Sequence, residues 1–172
     1  FIGLTELMSE NIDDMPIDQL QEISHSLQIT AKNLYELLDN LLSWALIKRG
    51  HKRFYAEKVK IFSIAQVVID IVSSQVKLKR ISLENRIDEY LVVLVDRESI
   101  KTVLRNLISN AIKFTPSGGS IILDSRVEDS SFVEISISDS GIGMPENIKE
   151  NLFKIDKKVS RPGTNHEPST GL

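Results

Sequence analysis

Asp139-Ser140-Gly141-Ile142-Gly143-Met144-Pro145 is the stretch whose reading decides what this chain is. It follows the alternating apolar run 132–137, so one carboxylate and two glycines stand where a strand should end. A carboxylate in that place can accept from the exocyclic amine of a small planar ligand, and glycines beside it leave the backbone bare enough for close approach. The plain alternative is a turn, which is what most Asp-Ser-Gly runs are.

Immediately upstream the pattern reads as antiparallel strands over 120–127 and 132–139, joined through the polar turn 128–131 and preceded by the turn Pro116-Ser117-Gly118-Gly119. Before that turn comes a helix over 97–114, capped by Asp96 and carrying Glu98 in its first turn. Its apolar stripe is Ile100, Leu104, Leu107, Ile108 and Ala111, while Asn106, Asn110 and Lys113 recur at i, i+4 and i+7 on the other side. A solvated polar face is the bland reading of that row. Two asparagines inside a helix nevertheless want a reason, because asparagine is a mediocre helix former. The Asn110 amide oxygen can join the oxygen shell of a Mg²⁺ that keeps water and phosphate ligands, and Lys113 can neutralise phosphate charge one turn further on.

Further upstream, a helix over 63–79 is expected with Ser63 as its cap and Ile64, Val67, Val68, Ile71, Val72 and Val76 buried. Strands are expected near 59–62, 81–87 and 91–95. Residues 17–49 carry the longest periodic segment, with Leu20, Leu27, Leu34 and Leu41 seven apart and Ile23, Thr30, Leu37 and Trp44 between them. A helix of about 33 residues spans roughly 50 Å, too long for one short neighbour to cover. With the apolar pattern at 1–11 it implies a helical hairpin that meets a second copy in a four-helix bundle. The alternative is a connector helix packed on its own domain. The tail, 145–172, has little periodicity beyond one helical turn near 147–153. The fold class is therefore α+β: a hairpin over 1–53, then an α/β sandwich over 54–172 in which helices cover a mixed sheet.

Composition is that of an ordinary globular protein, at 41% hydrophobic and 26% charged over 172 residues. A net charge of -3 without a long Lys/Arg block argues against a nucleic-acid surface. The absence of cysteine removes disulfide frameworks and thiolate metal sites. No apolar run approaches the roughly 20 residues of a membrane span. The first and last residues, Phe1 and Leu172, fall inside patterned segments, so the chain reads as cut at both ends.

The stretch Asn106-Leu107-Ile108-Ser109-Asn110-Ala111-Ile112-Lys113-Phe114-Thr115-Pro116 resembles the N box of sensor histidine kinases, and Asp139-Ser140-Gly141-Ile142-Gly143-Met144 resembles their G1 box. Leu152-Phe153 is similar to the F box, and Gly163-Thr164 through Ser169-Thr170-Gly171-Leu172 is similar to the start of the G2 box. Ile2-Gly3-Leu4 resembles the stretch just after the H box, and Leu37-Leu38-Asp39-Asn40-Leu41-Leu42-Ser43-Trp44 resembles the second dimerisation helix. The likeness covers essentially the whole chain, and a weaker likeness is to hybrid sensor kinases in particular.

The resemblance implies the sandwich shared with gyrase-type, mismatch-repair and heat-shock chaperone ATPases, with ATP and Mg²⁺ as cofactors. Asp139 would accept from the adenine amino group, with Gly141 and Gly143 passing close to the nucleotide. Asn110 would hold Mg²⁺, with Asn106 beside it, Lys113 on a phosphate and Phe114 against the nucleoside. Residues from about 145 onward would form the ATP lid, with Thr170, Gly171 and Leu172 near the phosphates. The partners implied are a second copy through the hairpin and a response-regulator receiver domain, in the cytoplasmic portion of a membrane-anchored bacterial sensor.

Two departures qualify the likeness. The family's acceptor histidine belongs before Phe1, and none of His25, His51 and His166 replaces it, so these residues alone are expected to bind nucleotide without autophosphorylating. Ser169 stands where the family has glycine, which strains any φ > 0 required there. Two other functions share the pattern. An ATP hydrolase or clamp of the same sandwich carries a water-activating glutamate at the position of Asn106, and an amide is no general base. A non-catalytic dimerisation module would keep the fold with a closed pocket.

Overall fold

The computed structural model describes residues 3, 5–6, 15–48, 54–128, 132–152 and 163–165. Two compact units divide at Arg53 and Phe54. In the first, helix α1 (Ile17–Lys48) runs for 32 residues with Asp18 in its first turn. Leu20, Ile23, Leu27 and Thr30 are half-buried, whereas Leu34, Leu38 and Leu42 on the same stripe are about half or more exposed, at 49%, 57% and 59%. His25 is exposed. Most of the helix expected over 1–11 lies outside the described residues.

The second unit comprises β1 (Ala56–Lys60), α2 (Ile61–Leu78), β2 (Ser82–Asn85), β3 (Val92–Asp96), α3 (Arg97–Phe114), β4 (Ser120–Val127), β5 (Val133–Asp139) and the single turn α4 (Glu146–Lys149). Strands β2, β4 and β5 form a mixed sheet in that order, β2 parallel to β4 and β4 antiparallel to β5. Strands β1 and β3 pair separately as an antiparallel ribbon, with Lys60 opposite Val92, so the mixed sheet is smaller than a five-stranded one.

Strand β1 runs straight into α2, which starts two residues before the expected Ser63 cap. Lys60 occupies the cap position without a side-chain bond, and the Ile61 N–H donates instead to the Leu91 carbonyl at 3.3 Å. The residue leading into β3 thus satisfies a helix end that a serine was expected to satisfy. At its other end, α2 closes in a Schellman turn. The Arg80 N–H donates to Lys77 O and the Ile81 N–H to Val76 O, both at 3.0 Å, with Arg80 in the left-handed region at φ 52°.

The core is built from Ile61, Ile64, Ala65, Val68 and Val72 of α2, Leu104, Ile108, Ala111 and Ile112 of α3, and Ile121 and Leu123 of β4. Both helices therefore cover one face of the mixed sheet. The expected stripes need a rotation of a few tens of degrees: Val67, Ile71 and Leu107 are about half exposed, while Ile61, Ala65 and Ile112 are buried. Packing of one helix on the other, and not the width of the apolar arc, selects the buried positions. By length and composition α2, at 18 residues, is apolar enough to cross a membrane. In this fold Ile61, Ile64, Ala65, Val68 and Val72 of that helix are core.

Helix α3 begins as its sequence dictates. Asp96 accepts the Ser99 N–H through Oδ1 at 2.8 Å, and through Oδ2 it accepts the Tyr55 N–H at 3.0 Å, so one carboxylate caps a helix and fastens the entry to β1.

Candidate functional site

Strand β5 ends at Asp139, opposite Ile121 of β4. Ser140 extends the pairing by one residue: its N–H donates to Ser120 O at 3.0 Å, and its Oγ accepts the Ser120 N–H at 2.9 Å. The Asp139 side chain then turns the chain, Oδ1 accepting the Gly141 N–H at 2.9 Å. The turn reading and the ligand reading are thus compatible, since an exposed carboxylate using one lone pair keeps others for a ligand. A Cβ on Gly141 would strike this carboxylate and would stand 2.6 Å from the Phe114 carbonyl oxygen. Gly143 needs its glycine for conformation instead, at φ 61° with open space around it.

The Phe114 carbonyl belongs to the end of α3. Pro116 forces the residue before it out of the helical region, and Thr115 is extended at φ -87° and ψ 127°. The last four carbonyls of a helix need outside partners. Here Ala111 O takes the Thr115 N–H at 3.0 Å, and Phe114 O takes the Ile142 N–H at 3.1 Å. Ile112 O and Lys113 O take the Lys79 ammonium at 2.8 and 3.1 Å, and Lys113 O also takes the Thr164 N–H at 3.0 Å. The helix that carries Asn106, Asn110 and Lys113 is thereby tied directly to the loop after Asp139.

On α3 itself, Asn106 and Asn110 are exposed and Lys113 and Phe114 half-buried, with the Lys113 ammonium 5.4 Å from the Phe114 ring centroid. Two amides, an ammonium and an aromatic face therefore line one helix whose last carbonyl holds the Gly141-Ile142 loop. Among the described residues no group of three His, Cys, Asp or Glu side chains could hold a metal unaided. A cation at Asn110 would take its remaining ligands from phosphate and water. Thr170, Gly171 and Leu172, with Phe153, Ser169, His51 and His166, lie outside the described residues.

Lys79 is the residue that sequence reading missed. It is 5% exposed, whereas Lys77 two positions earlier is exposed, and nothing in the local pattern separates them. Its partners lie 33 or more positions downstream, so only the fold assigns it.

Residues 95–172 match the family described as histidine kinase-, DNA gyrase B-, and HSP90-like ATPase. The adaptive-response sensory kinase SasA of Synechococcus sp. (strain JA-3-3Ab) is 32% identical over 131 residues, covering 76% of this chain and 35% of SasA. The chain thus spans about a third of the length of that relative. The catalytic domain of the histidine kinase ThkA superposes with a TM-score of 0.57 at 27% identity, over 61% of this chain and 69% of that one. ThkA in complex with the response regulator protein TrrA gives 0.66 at 24% identity, over 88% and 43%. With the Asp139 loop bonded to the end of the Asn110 helix and the family match beginning at β3, residues 95–172 carry the histidine kinase-, DNA gyrase B- and HSP90-like ATPase match, and the chain is similar to the catalytic part of sensor histidine kinases.

Proposed function

We propose that this chain is the kinase core of a two-component sensor, binding Mg-ATP for phosphorylation of a histidine and onward transfer to a response-regulator aspartate. The observation that carries the reading is the bond from Ile142 N–H to Phe114 O, which joins the two halves of the site at one backbone carbonyl. Asp139 accepts from the adenine amino group with the lone pairs the turn leaves unused. Gly141 and Gly143 keep side chains away from the base, Phe114 offers a face to the nucleoside, and Lys113 neutralises phosphate charge. Asn110 is the metal ligand and Asn106 stands one turn before it; a Mg²⁺ held there would supply charge neutralisation across the phosphates. Thr170, Gly171 and Leu172 complete the phosphate end. The protein contributes position and electrostatics in this chemistry, with little covalent work of its own.

Asn106 bears on the hydrolase alternative. An amide cannot take a proton from water, so direct hydrolysis is disfavoured relative to transfer. The exposed leucines of α1 fit a second copy of the chain in a four-helix bundle, and the same kinase ThkA that resembles this chain is found with a response regulator, which supports a receiver domain as partner. The setting proposed is the cytoplasmic side of a bacterial sensor.

Titration calorimetry with a non-hydrolysable ATP analogue and Mg²⁺ tests the site. Asp139→Asn keeps an acceptor for the Gly141 N–H, so the turn should persist while affinity falls by about tenfold or more through loss of the charged acceptor. Unchanged affinity in that variant would remove Asp139 from the site.

A further inference from the structure

We propose that Lys79 is a positioning residue for nucleotide binding, acting through the end of α3 and through Thr164; this rests on the nucleotide-binding reading above. An ammonium has three N–H donors, and each of those on Lys79 has an acceptor: Ile112 O at 2.8 Å, Lys113 O at 3.1 Å and Thr164 Oγ1 at 2.8 Å. The charge sits at the negative end of the α3 dipole, where a cation is favoured, and burial strengthens the bonds by excluding water.

The backbone of Lys79 is held as firmly as its side chain. Its N–H donates to Gln75 O at 3.1 Å and its carbonyl accepts the Gly118 N–H at 2.9 Å. The Schellman turn at Arg80 and Ile81 follows directly, so the side chain leaves a fixed base and crosses to α3. Thr164 completes the clamp. It accepts from Lys79, and its hydroxyl reaches Thr115 O at 3.0 Å and Lys113 O at 3.2 Å. Its own N–H donates to Lys113 O at 3.0 Å, and the adjacent Gly163 is buried. Lys79 thus acts through the backbone of Lys113, which it holds, and fixes Gly163–Thr164 against it. Since Phe114 O is the next carbonyl along and carries the Asp139 loop, one buried cation registers three parts of the site on each other.

The test uses the complete chain and compares nucleotide affinity with folding. Lys79→Met keeps length and loses all three bonds, and Thr164→Val keeps shape and loses only the hydroxyl. In calorimetry with the same ATP analogue and Mg²⁺, Lys79→Met should weaken binding on the order of tenfold and Thr164→Val by a few-fold. The double variant should lose less than the product of the two, because both remove one shared bond. Amide exchange should accelerate at Thr164 in either variant, a local readout that general destabilisation would not confine to that residue. Should Lys79→Met fail to fold, Thr164→Val decides through affinity and exchange alone. Folded variants with wild-type affinity would overturn the proposal while leaving the functional reading intact, and a wild-type chain that bound no nucleotide would overturn both.

Discussion

At the scale of single residues, the two glycines after Asp139 do different jobs and should fail differently. In Gly141→Ala the new methyl meets the Phe114 carbonyl, a backbone group that cannot swing away. Overpacking of this kind costs about 1–3 kcal/mol, and the loop should shift, so both melting temperature and nucleotide affinity should fall. Gly143→Ala meets no atom and loses only conformational ease, about 1 kcal/mol. Arg80 is the converse case, a side chain in a left-handed position. Arg80→Gly should leave the Schellman turn unchanged and raise stability by up to about 1 kcal/mol in thermal denaturation. Thr115 is buried with a hydroxyl that finds no partner among the described residues, so Thr115→Val, of the same shape, should be neutral or stabilising by melting temperature.

At the scale of elements, α3 is decisive because both its ends are anchored by other parts of the chain. Asp96 binds two backbone N–H groups on different elements, so Asp96→Ala should cost about 2 kcal/mol, the upper end for a cap. Leu104 is 2% exposed between the helix pair and the sheet, and Leu104→Ala should cost about 2–5 kcal/mol in denaturant titration. Helix α3's start was legible in its sequence, because a capping aspartate acts within three residues. So was its stop, since proline constrains the residue before it. The start of α2 was not, because its first N–H is taken by Leu91, the residue just before β3 and thirty positions downstream.

At the scale of the whole molecule, the leucines of α1 bear on assembly. Leu34, Leu38 and Leu42 leave an apolar stripe on a 32-residue helix. In the proposed homodimer that stripe is covered, so Leu34→Glu with Leu38→Glu should shift sedimentation from dimer to monomer. Nucleotide affinity of the second unit should stay within about twofold, because none of these residues belongs to its core. A chain that sediments as a monomer before substitution would count against the bundle.

The sequence by itself determined what depends on near neighbours: the period of the helices, the Asp96 cap, the alternation of β4 and β5, and the Asn106, Asn110 and Lys113 row. It also carried the Asp139 motif, whose spacing is what the turn and the family likeness both use. Tertiary structure alone decided which helix face is buried, where α2 begins, and that β1 and β3 pair apart from the mixed sheet. It alone decided, too, that Lys79 is interior while Lys77 is not. Each of these turns on a partner tens of residues away, and a hydrogen bond or packing contact at that separation leaves no mark on the local pattern of either residue.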